Sequence, residues 1–137
     1  MLANLAQTIA TDSIVTSDTL EFKQTDSLNY FLLDPSSTYA VPSYPTLNTT
    51  AHFYIAGTYL QAADLDHVRF QCRLFGALVY NETQPDVESF QPGAQWLSPS
   101  FDFDIPAIAP QTTYAITFIG ERADNSELWS VDTSFHF

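Results

Sequence analysis

A strict alternation of apolar and polar residues between His67 and Leu74 constrains the fold of this chain more than any other feature. One side of the alternation carries Val68, Phe70, Cys72 and Leu74, and the other carries His67, Arg69, Gln71 and Arg73. Successive side chains of a β-strand point to opposite faces of a sheet, so the pattern predicts a strand with one dry and one wet face. Strands rather than helices are therefore expected to organise the protein.

Further strands are predicted along the rest of the chain. Residues 101–105 alternate three large apolar residues with Asp102 and Asp104, and they end at Pro106, which cannot donate to a ladder. Residues 114–119 are apolar on both faces, as expected for an interior strand. The polar run 121–127 predicts a hairpin turn into a last strand that ends at Phe137. The other candidate strands are 14–22, 30–33 and 52–60.

About seven to eight short strands separated by turns predict an all-β fold, a two-sheet immunoglobulin-like β-sandwich. We expect a single domain over residues 1–137, with residues 1–12 as a candidate tail, because the length is that of one hydrophobic core. The longest predicted connection runs from Asn81 to Ser100 and carries Phe90 and Trp96. Aromatic residues in a loop need a dry environment, so this loop is predicted to be a lid over the core or the entrance to a pocket.

Charge limits the partners that the domain could bind. Charged residues make up 15% of the chain, against about 25% in an average soluble domain, and the formal net charge is -12. Such an acidic protein repels the phosphates of nucleic acid and the anionic face of a bilayer, so we expect no nucleic-acid partner. No apolar stretch approaches the roughly 18 residues of a spanning helix, so no transmembrane segment is predicted.

Residue types that carry catalysis or bind metals are scattered. The three histidines fall on three separate predicted strands: His52, His67 and His136. The pairs Asp64/Asp66 and Asp102/Asp104 lack the glycine and the further acids of a calcium loop, and Cys72 has no second thiol to complete a zinc site. No Gly-x-Ser-x-Gly elbow or glycine-rich phosphate loop occurs. We therefore predict no enzymatic activity, no metal and no other cofactor.

The sequence gives mixed indications about the compartment. Asn48 and Asn81 begin N-glycosylation sequons and are the glycosylation candidates, which favours a secretory route. Residues 1–10 lack the basic region and the long apolar region of a signal peptide. A secreted domain whose signal has been removed and a cytoplasmic domain both fit these observations.

A spaced set of residues in the C-terminal half carries a family resemblance. The set consists of Phe103-Asp104-Ile105-Pro106, Pro110, Tyr114-Ala115-Ile116, the turn Asp124-Asn125, Leu128 and the terminal Phe135-His136-Phe137. It extends upstream to include Gly57, the strand Val68 to Leu74, Gly76 and Pro92-Gly93. In these residues the chain resembles the ML family of MD-2-related lipid-recognition domains. That family includes phosphatidylglycerol/phosphatidylinositol transfer proteins, the lysosomal sterol carrier and mite group 2 allergens. The resemblance implies a secreted or endolysosomal sandwich whose sheets splay apart to hold a lipid.

The cysteine framework of that family is missing. Ser130 stands where the resemblance would place a cysteine of the last hairpin, and the cysteine before Pro92-Gly93 is also absent. Cys72 stands alone, so no internal disulfide can form. A sandwich without disulfides depends on its core, and it could close its sheets and fill the space between them with side chains.

On this resemblance we expect a lipid or another hydrophobic small molecule to lie between the sheets. The lipid-cavity candidates are the residues on the inward faces of the predicted strands: Phe53, Ile55, Val68, Phe70, Leu74, Phe103, Ile105, Tyr114, Ile116, Phe118, Phe135 and Phe137. Each buried CH2 group of a ligand contributes about 0.8 kcal/mol, so a dry cavity with a rim is sufficient for binding. Periodicity identifies the dry face, but a packed face and a hollow one have the same periodicity.

Two other functions fit the sequence. The first is a structural or assembly subunit without a ligand cavity, which associates with itself or with a protein partner through sheet edges and apolar loops. The second is a glycan-binding sandwich, for which Trp96 and Trp129 would have to be exposed as a stacking platform.

Overall fold

The computed structural model describes residues 19–137, which form eleven β-strands, all paired in antiparallel fashion. The strands are β1 (Lys23–Gln24), β2 (Phe31–Leu33), β3 (Tyr39–Val41), β4 (Thr49–Tyr54), β5 (Ala56–Tyr59), β6 (Ala63–Leu74), β7 (Ala77–Phe90), β8 (Gln95–Leu97), β9 (Phe101–Ile105), β10 (Thr113–Glu121) and β11 (Glu127–His136). Within this described part of the chain, no helix has the length and apolar character needed to cross a membrane.

The first layer is a five-stranded sheet with the order β1-β11-β10-β6-β7. In its centre, Phe118 of β10 pairs with Phe70 of β6 on one side and with Val131 of β11 on the other. All three side chains are buried, so this register lines up one apolar face. The turn between β10 and β11 is closed by a hydrogen bond of 2.9 Å from the Arg122 amide to the Ser126 carbonyl, and the predicted hairpin is confirmed.

The second layer consists of two three-stranded sheets, with the orders β9-β4-β3 and β2-β5-β8. Only Ile55 separates the two middle strands, β4 and β5. At this interruption the Ile55 amide donates to the Ser98 hydroxyl at 2.9 Å, and the Ala56 amide donates to the Thr38 hydroxyl at 3.0 Å. Ser98 and Thr38 are buried, and their hydroxyls satisfy backbone groups that would otherwise lack a partner where the ladder stops.

The prediction of an all-β sandwich is confirmed. Residues 19–137 form eleven strands, against the seven to eight predicted, because the second layer is interrupted: a turn at residues 35–37 separates β2 from β3, Ile55 separates β4 from β5, and residues 98–100 separate β8 from β9. The predicted strand 30–33 corresponds to β2, and 52–60 corresponds to β4 and β5. Residues 14–18 of the predicted strand 14–22, and the candidate tail 1–12, lie outside the described residues, while 19–22 are not strand.

The predicted loop from Asn81 to Ser100 is wrong, because most of it is strand. β7 continues to Phe90 along β6, and β8 follows it. Most side chains of β7 are exposed, so its sequence lacks the apolar alternation by which strands are recognised. Pro85 is tolerated because β7 is an edge strand.

The alternation along β6 is confirmed on its apolar side, where Val68 and Phe70 are buried and Leu74, at the end of the strand, is partly buried. The predicted wet face is wrong at two positions, because His67 and Gln71 are only 7% and 8% exposed. β6 lies between β10 and β7, and the side chains of those neighbours cover both residues.

Candidate functional site

The predicted lipid-cavity residues all belong to, or pack against, a single hydrophobic core cluster. Nine of the twelve are buried: Phe53, Ile55, Val68, Phe70, Ile105, Tyr114, Ile116, Phe118 and Phe135. The other three, Leu74, Phe103 and Phe137, are only partly buried. The structure therefore brings the whole predicted set together and leaves three members accessible from outside.

Strand register places these accessible residues at one end of the sandwich. Leu74 pairs with Tyr114 at the start of β10, and the neighbouring Thr113 pairs with His136 at the end of β11, next to Phe137. The Phe137 ring lies 5.3 Å from the Tyr114 ring, measured between centroids. Because the strands are antiparallel, the end of β6, the start of β10 and the end of β11 meet at this point.

Tyr80 is a fourth member of this group, and it was missed in the sequence. Its ring lies 5.2 Å from Phe103 and 5.5 Å from Phe70, and it pairs directly with Cys72 of β6. Tyr80 was not predicted because it precedes a polar stretch that resembles a loop, and only the pairing of β7 with β6 turns it inward. We call Leu74, Tyr80, Phe103 and Phe137 the aromatic end.

Negative charge surrounds the aromatic end without entering it. Burial raises the pKa of the Tyr80 hydroxyl, and the carboxylates of Glu82, Asp104 and Asp102 raise it further. The hydroxyl is therefore neutral at physiological pH and can act as a hydrogen-bond donor. An apolar ligand with a neutral polar group is electrostatically compatible with this position, whereas an anionic group would be repelled.

Deeper in the sandwich, aromatic rings fill the space between the layers. Phe53 of the second layer lies 5.8 Å from Phe70 and 5.6 Å from Phe118 of the first layer, and those two rings are stacked at 5.1 Å. These centroid distances are those of rings in contact. The hollows next to Asp132, Trp96 and Ile105 open on the outside of the sandwich. None of these three hollows is lined by a residue of the aromatic end, so entry of a ligand at that end would require its side chains to move.

A second group of rings occupies the opposite part of the core. We call it the closed cluster, and its members are Phe31, Tyr59, Phe90, Trp96 and Trp129. The Trp129 indole donates to the Tyr59 hydroxyl at 3.0 Å, and the Trp96 indole donates to Glu88 at 3.1 Å. Trp96 is 7% exposed and Trp129 is fully buried. The prediction that they form an exposed stacking platform for a glycan is therefore wrong.

The histidines occupy separate places. His67 lies on the outer face of the first layer, with Nδ1 2.8 Å from Asp66 and Nε2 2.8 Å from Glu121, and Arg69 donates to the same Glu121 carboxylate at 2.7 Å. Burial opposes protonation of His67, but the hydrogen bonds with Asp66 and Glu121 outweigh it and raise the pKa. Among residues 19–137, no three histidine, cysteine or acidic side chains are arranged to hold a metal ion.

A Ser-His-Asp group on the second layer has the wrong geometry for nucleophilic catalysis. His52 Nδ1 lies 2.7 Å from Asp102 Oδ1, and the Ser100 hydroxyl contacts the same carboxylate oxygen and the same ring nitrogen. In a catalytic triad the serine and the carboxylate contact opposite nitrogens of the ring, which lets the imidazole accept the serine proton. Here both contact one nitrogen, so the group serves to fix Asp102 on the surface.

The remaining predicted residues are placed as follows. Cys72 is buried, and desolvation raises the pKa of its thiol to about 11, which makes it unreactive. Asn48 and Asn81, the glycosylation candidates, are both exposed.

No protein-family model matches the chain, and no curated protein matches it. The ML likeness therefore stays a prediction that depends on the residues quoted for it.

Proposed function

We propose that the domain is a non-catalytic module that binds one lipid or similar hydrophobic molecule, whose apolar part enters the sandwich at the aromatic end. One observation carries this proposal: partly exposed apolar side chains at that end continue, ring by ring, into the buried core. A ligand site needs an apolar surface that leads inward from solvent. The closed cluster has no such surface, because all five of its rings are buried.

Entry of a ligand requires the side chains at the aromatic end to move. Leu74 is the last residue of β6, and Phe137 follows the last residue of β11; both side chains are only partly buried, so their movement costs fewer contacts than that of a core residue. Phe103 is partly exposed, so it loses fewer contacts on moving than a buried ring does. Burial of about ten CH2 groups of a ligand would contribute about 8 kcal/mol, which offsets such a rearrangement.

A charge placed at the aromatic end tests the proposal. We expect Leu74→Glu to weaken binding of a fluorescent fatty alcohol, whose polar group is neutral, by at least about tenfold, because the carboxylate would have to be desolvated beside the alkyl chain. The matched control is Leu60→Glu, since Leu60 is 46% exposed and follows β5 in the part of the domain that holds the closed cluster. Fluorescence titration measures the affinity, and thermal unfolding checks that both variants fold.

Two results would contradict the proposal. One is equal affinity of Leu74→Glu and the wild type for the fluorescent fatty alcohol. The other is a wild-type protein that neither binds the fluorescent probe nor carries a lipid in native mass spectrometry after purification from its own source.

An assembly subunit is the second candidate function, favoured by the long free edge of β7. This strand has 14 residues, pairs on one side only among residues 19–137, and exposes Val79 and Val87. The same edge carries Pro85, Glu82 and Glu88, which are features that discourage pairing with another chain. The lipid-binding proposal predicts a monomer at all concentrations in sedimentation velocity. Concentration-dependent growth that Val87→Lys abolishes would favour assembly.

A further inference from the structure

Two apolar side chains project into solvent beside the aromatic end. Phe75, between β6 and β7, is 84% exposed, and Ile108, between β9 and β10, is 92% exposed. Leu74 pairs with Tyr114, so the turn after β6 lies next to the connection that enters β10. The Tyr114 hydroxyl donates to the Pro110 carbonyl at 2.8 Å, which holds that connection against the end of the sheet. We call Phe75 and Ile108 the tips.

The conformation at Phe75 is unfavourable for a phenylalanine. Phe75 and Gly76 have φ angles of 53° and 78°, both in the left-handed region. Two-residue hairpin turns with such angles favour asparagine, aspartate or glycine, and a bulky residue at positive φ is an outlier. Folding alone would be served better by asparagine at this position. Because the ring is also exposed, its presence is better explained by a contact outside the domain.

The loops that carry the tips contain no charge. Residues 74–81 and 105–120 include no aspartate, glutamate, lysine or arginine, although the chain has 16 acidic residues. Behind them lie the carboxylates of Glu82, Asp104 and Asp102, around Tyr80, and one cation, Arg73, so the balance of charge there is negative. An apolar, uncharged end backed by negative charge fits an electrically neutral bilayer, because insertion of the tips would desolvate no charge and an anionic surface would repel the domain.

We propose that the domain docks on neutral bilayers through this end, with Phe75 and Ile108 inserted between the lipids. The inference rests on the proposed function, since docking would bring the aromatic end to its ligand. A bilayer is favoured over a second copy of the chain because two separate tips protrude, and insertion into a fluid surface requires no complementary shape.

Flotation with vesicles of pure phosphatidylcholine tests docking directly. We expect the wild-type chain to float with the vesicles and Phe75→Ser/Ile108→Ser to partition at least about tenfold more weakly, because two large apolar side chains are lost from the contact. Val87→Ser is the matched control, since Val87 is 78% exposed but lies on β7 beyond Pro85, away from the tips. It should float like the wild type. Replacement of part of the lipid by phosphatidylglycerol should weaken binding at low salt.

Three flotation results would overturn the inference: a wild-type chain that stays in the soluble fraction, equal flotation of the wild type and the tip variant, or stronger binding to vesicles that contain phosphatidylglycerol. A wild-type dimer in sedimentation velocity that the tip variant abolishes would also overturn it, because the tips would then contact a second copy of the chain. Titration with the fluorescent fatty alcohol in the absence of vesicles separates docking from lipid binding. If the probe binds and the vesicles do not, docking alone fails; if the vesicles bind and the probe does not, the proposed ligand site fails.

Discussion

The closed cluster and the aromatic end are built from the same residue types and differ in how tightly they are fixed. In the closed cluster, the Tyr59 and Phe90 rings stack at 4.0 Å and both indole N–H groups have hydrogen-bond acceptors. Ring centroid distances overlap between the regions, at 4.0 to 6.0 Å in the closed cluster and 5.2 to 6.5 Å around Phe103, but Phe103 is partly exposed whereas all five rings of the closed cluster are buried. The difference indicates that one region holds the sandwich together while the other is available for contacts.

Glycines show the same difference. A Cβ at Gly57 would lie 2.3 Å from the Phe31 ring, and one at Gly120 would lie 2.3 Å from the Trp129 indole. Both glycines therefore let a ring of the closed cluster pack directly on the backbone. Gly76, in the turn beside the aromatic end, has nothing within 4 Å of the equivalent position and serves only its positive φ.

Truncation of Trp129 should have the largest effect. Trp129 is fully buried and contacts Phe31 and Trp96, so Trp129→Ala would leave a large cavity and an unpaired Tyr59 hydroxyl. We expect it to lower the free energy of unfolding by about 3–5 kcal/mol. Urea denaturation followed by far-UV circular dichroism measures this loss. A loss of unfolding free energy smaller than that caused by a truncation at the aromatic end would show that the closed cluster is not the more firmly packed region.

The smallest change in the closed cluster should still be costly. Gly120→Ala adds a methyl group that would overlap the Trp129 indole. A buried indole can move aside only if its neighbours move too. We expect a loss of about 1–3 kcal/mol in the same denaturation experiment. Gly120→Ala in the background of Trp129→Ala should cost much less, because the clashing ring is gone. Equal costs in the two backgrounds would show that the ring is not the cause.

A truncation at the aromatic end should be milder. Phe103→Ala removes a partly exposed ring, and we expect a loss of about 1–2 kcal/mol, against about 3–5 kcal/mol for the fully buried Phe53 in the neighbouring strand. Urea denaturation of both variants measures the difference. Similar losses for the two variants would mean that the aromatic end is packed as firmly as the core, and it would weaken the case for ligand entry there.

The two regions also differ in how well the sequence predicts them. Three of the four residues of the aromatic end, Leu74, Phe103 and Phe137, follow from alternation, whereas Tyr80 does not. The closed cluster was largely missed, because Phe90 and Trp96 lie in a stretch that was predicted to be a loop. β7 is an exposed edge strand, so its polar sequence carries no period of two, and its strand character comes from pairing with β6.

The sequence could not distinguish which residues of the apolar face are fully buried and which are partly exposed. By periodicity, Phe53 and Phe103 both lie on the inward faces of neighbouring strands. In the structure Phe53 is fully buried and Phe103 is partly exposed. The difference arises from register: Phe53 pairs with Phe101 in mid-layer, whereas Phe103 lies two residues further towards the end of β9. Which apolar residue lies at an open end depends on long-range pairing, which no local pattern contains.

A titratable carboxyl next to the closed cluster should give a smaller effect with a defined sign. Burial raises the pKa of Asp86 to about 7, and the adjacent Glu88 carboxylate, which accepts from the Trp96 indole, contributes to the increase. Between the ordinary value of 3.8 and about 7, the folded state therefore holds a proton that the unfolded state has lost. Stability should fall as the pH rises through this range, by about 1 kcal/mol after solvent screening.

Asp86→Asn should abolish that dependence and stabilise the domain at pH 8. Asp102→Asn is a control whose effect on stability should have the opposite sign. Hydrogen bonds from Ser100 and His52 lower the pKa of Asp102, so its ionised form stabilises the fold above the ordinary value and this contribution is lost as the pH falls. Asp102→Asn should therefore destabilise at pH 7, by less than about 0.5 kcal/mol because the group is largely exposed. Thermal unfolding from pH 4 to pH 8 measures both. Because the two carboxyls lie on different strands of different layers, shifts of equal sign would mean that overall negative charge, rather than the local partners, governs stability.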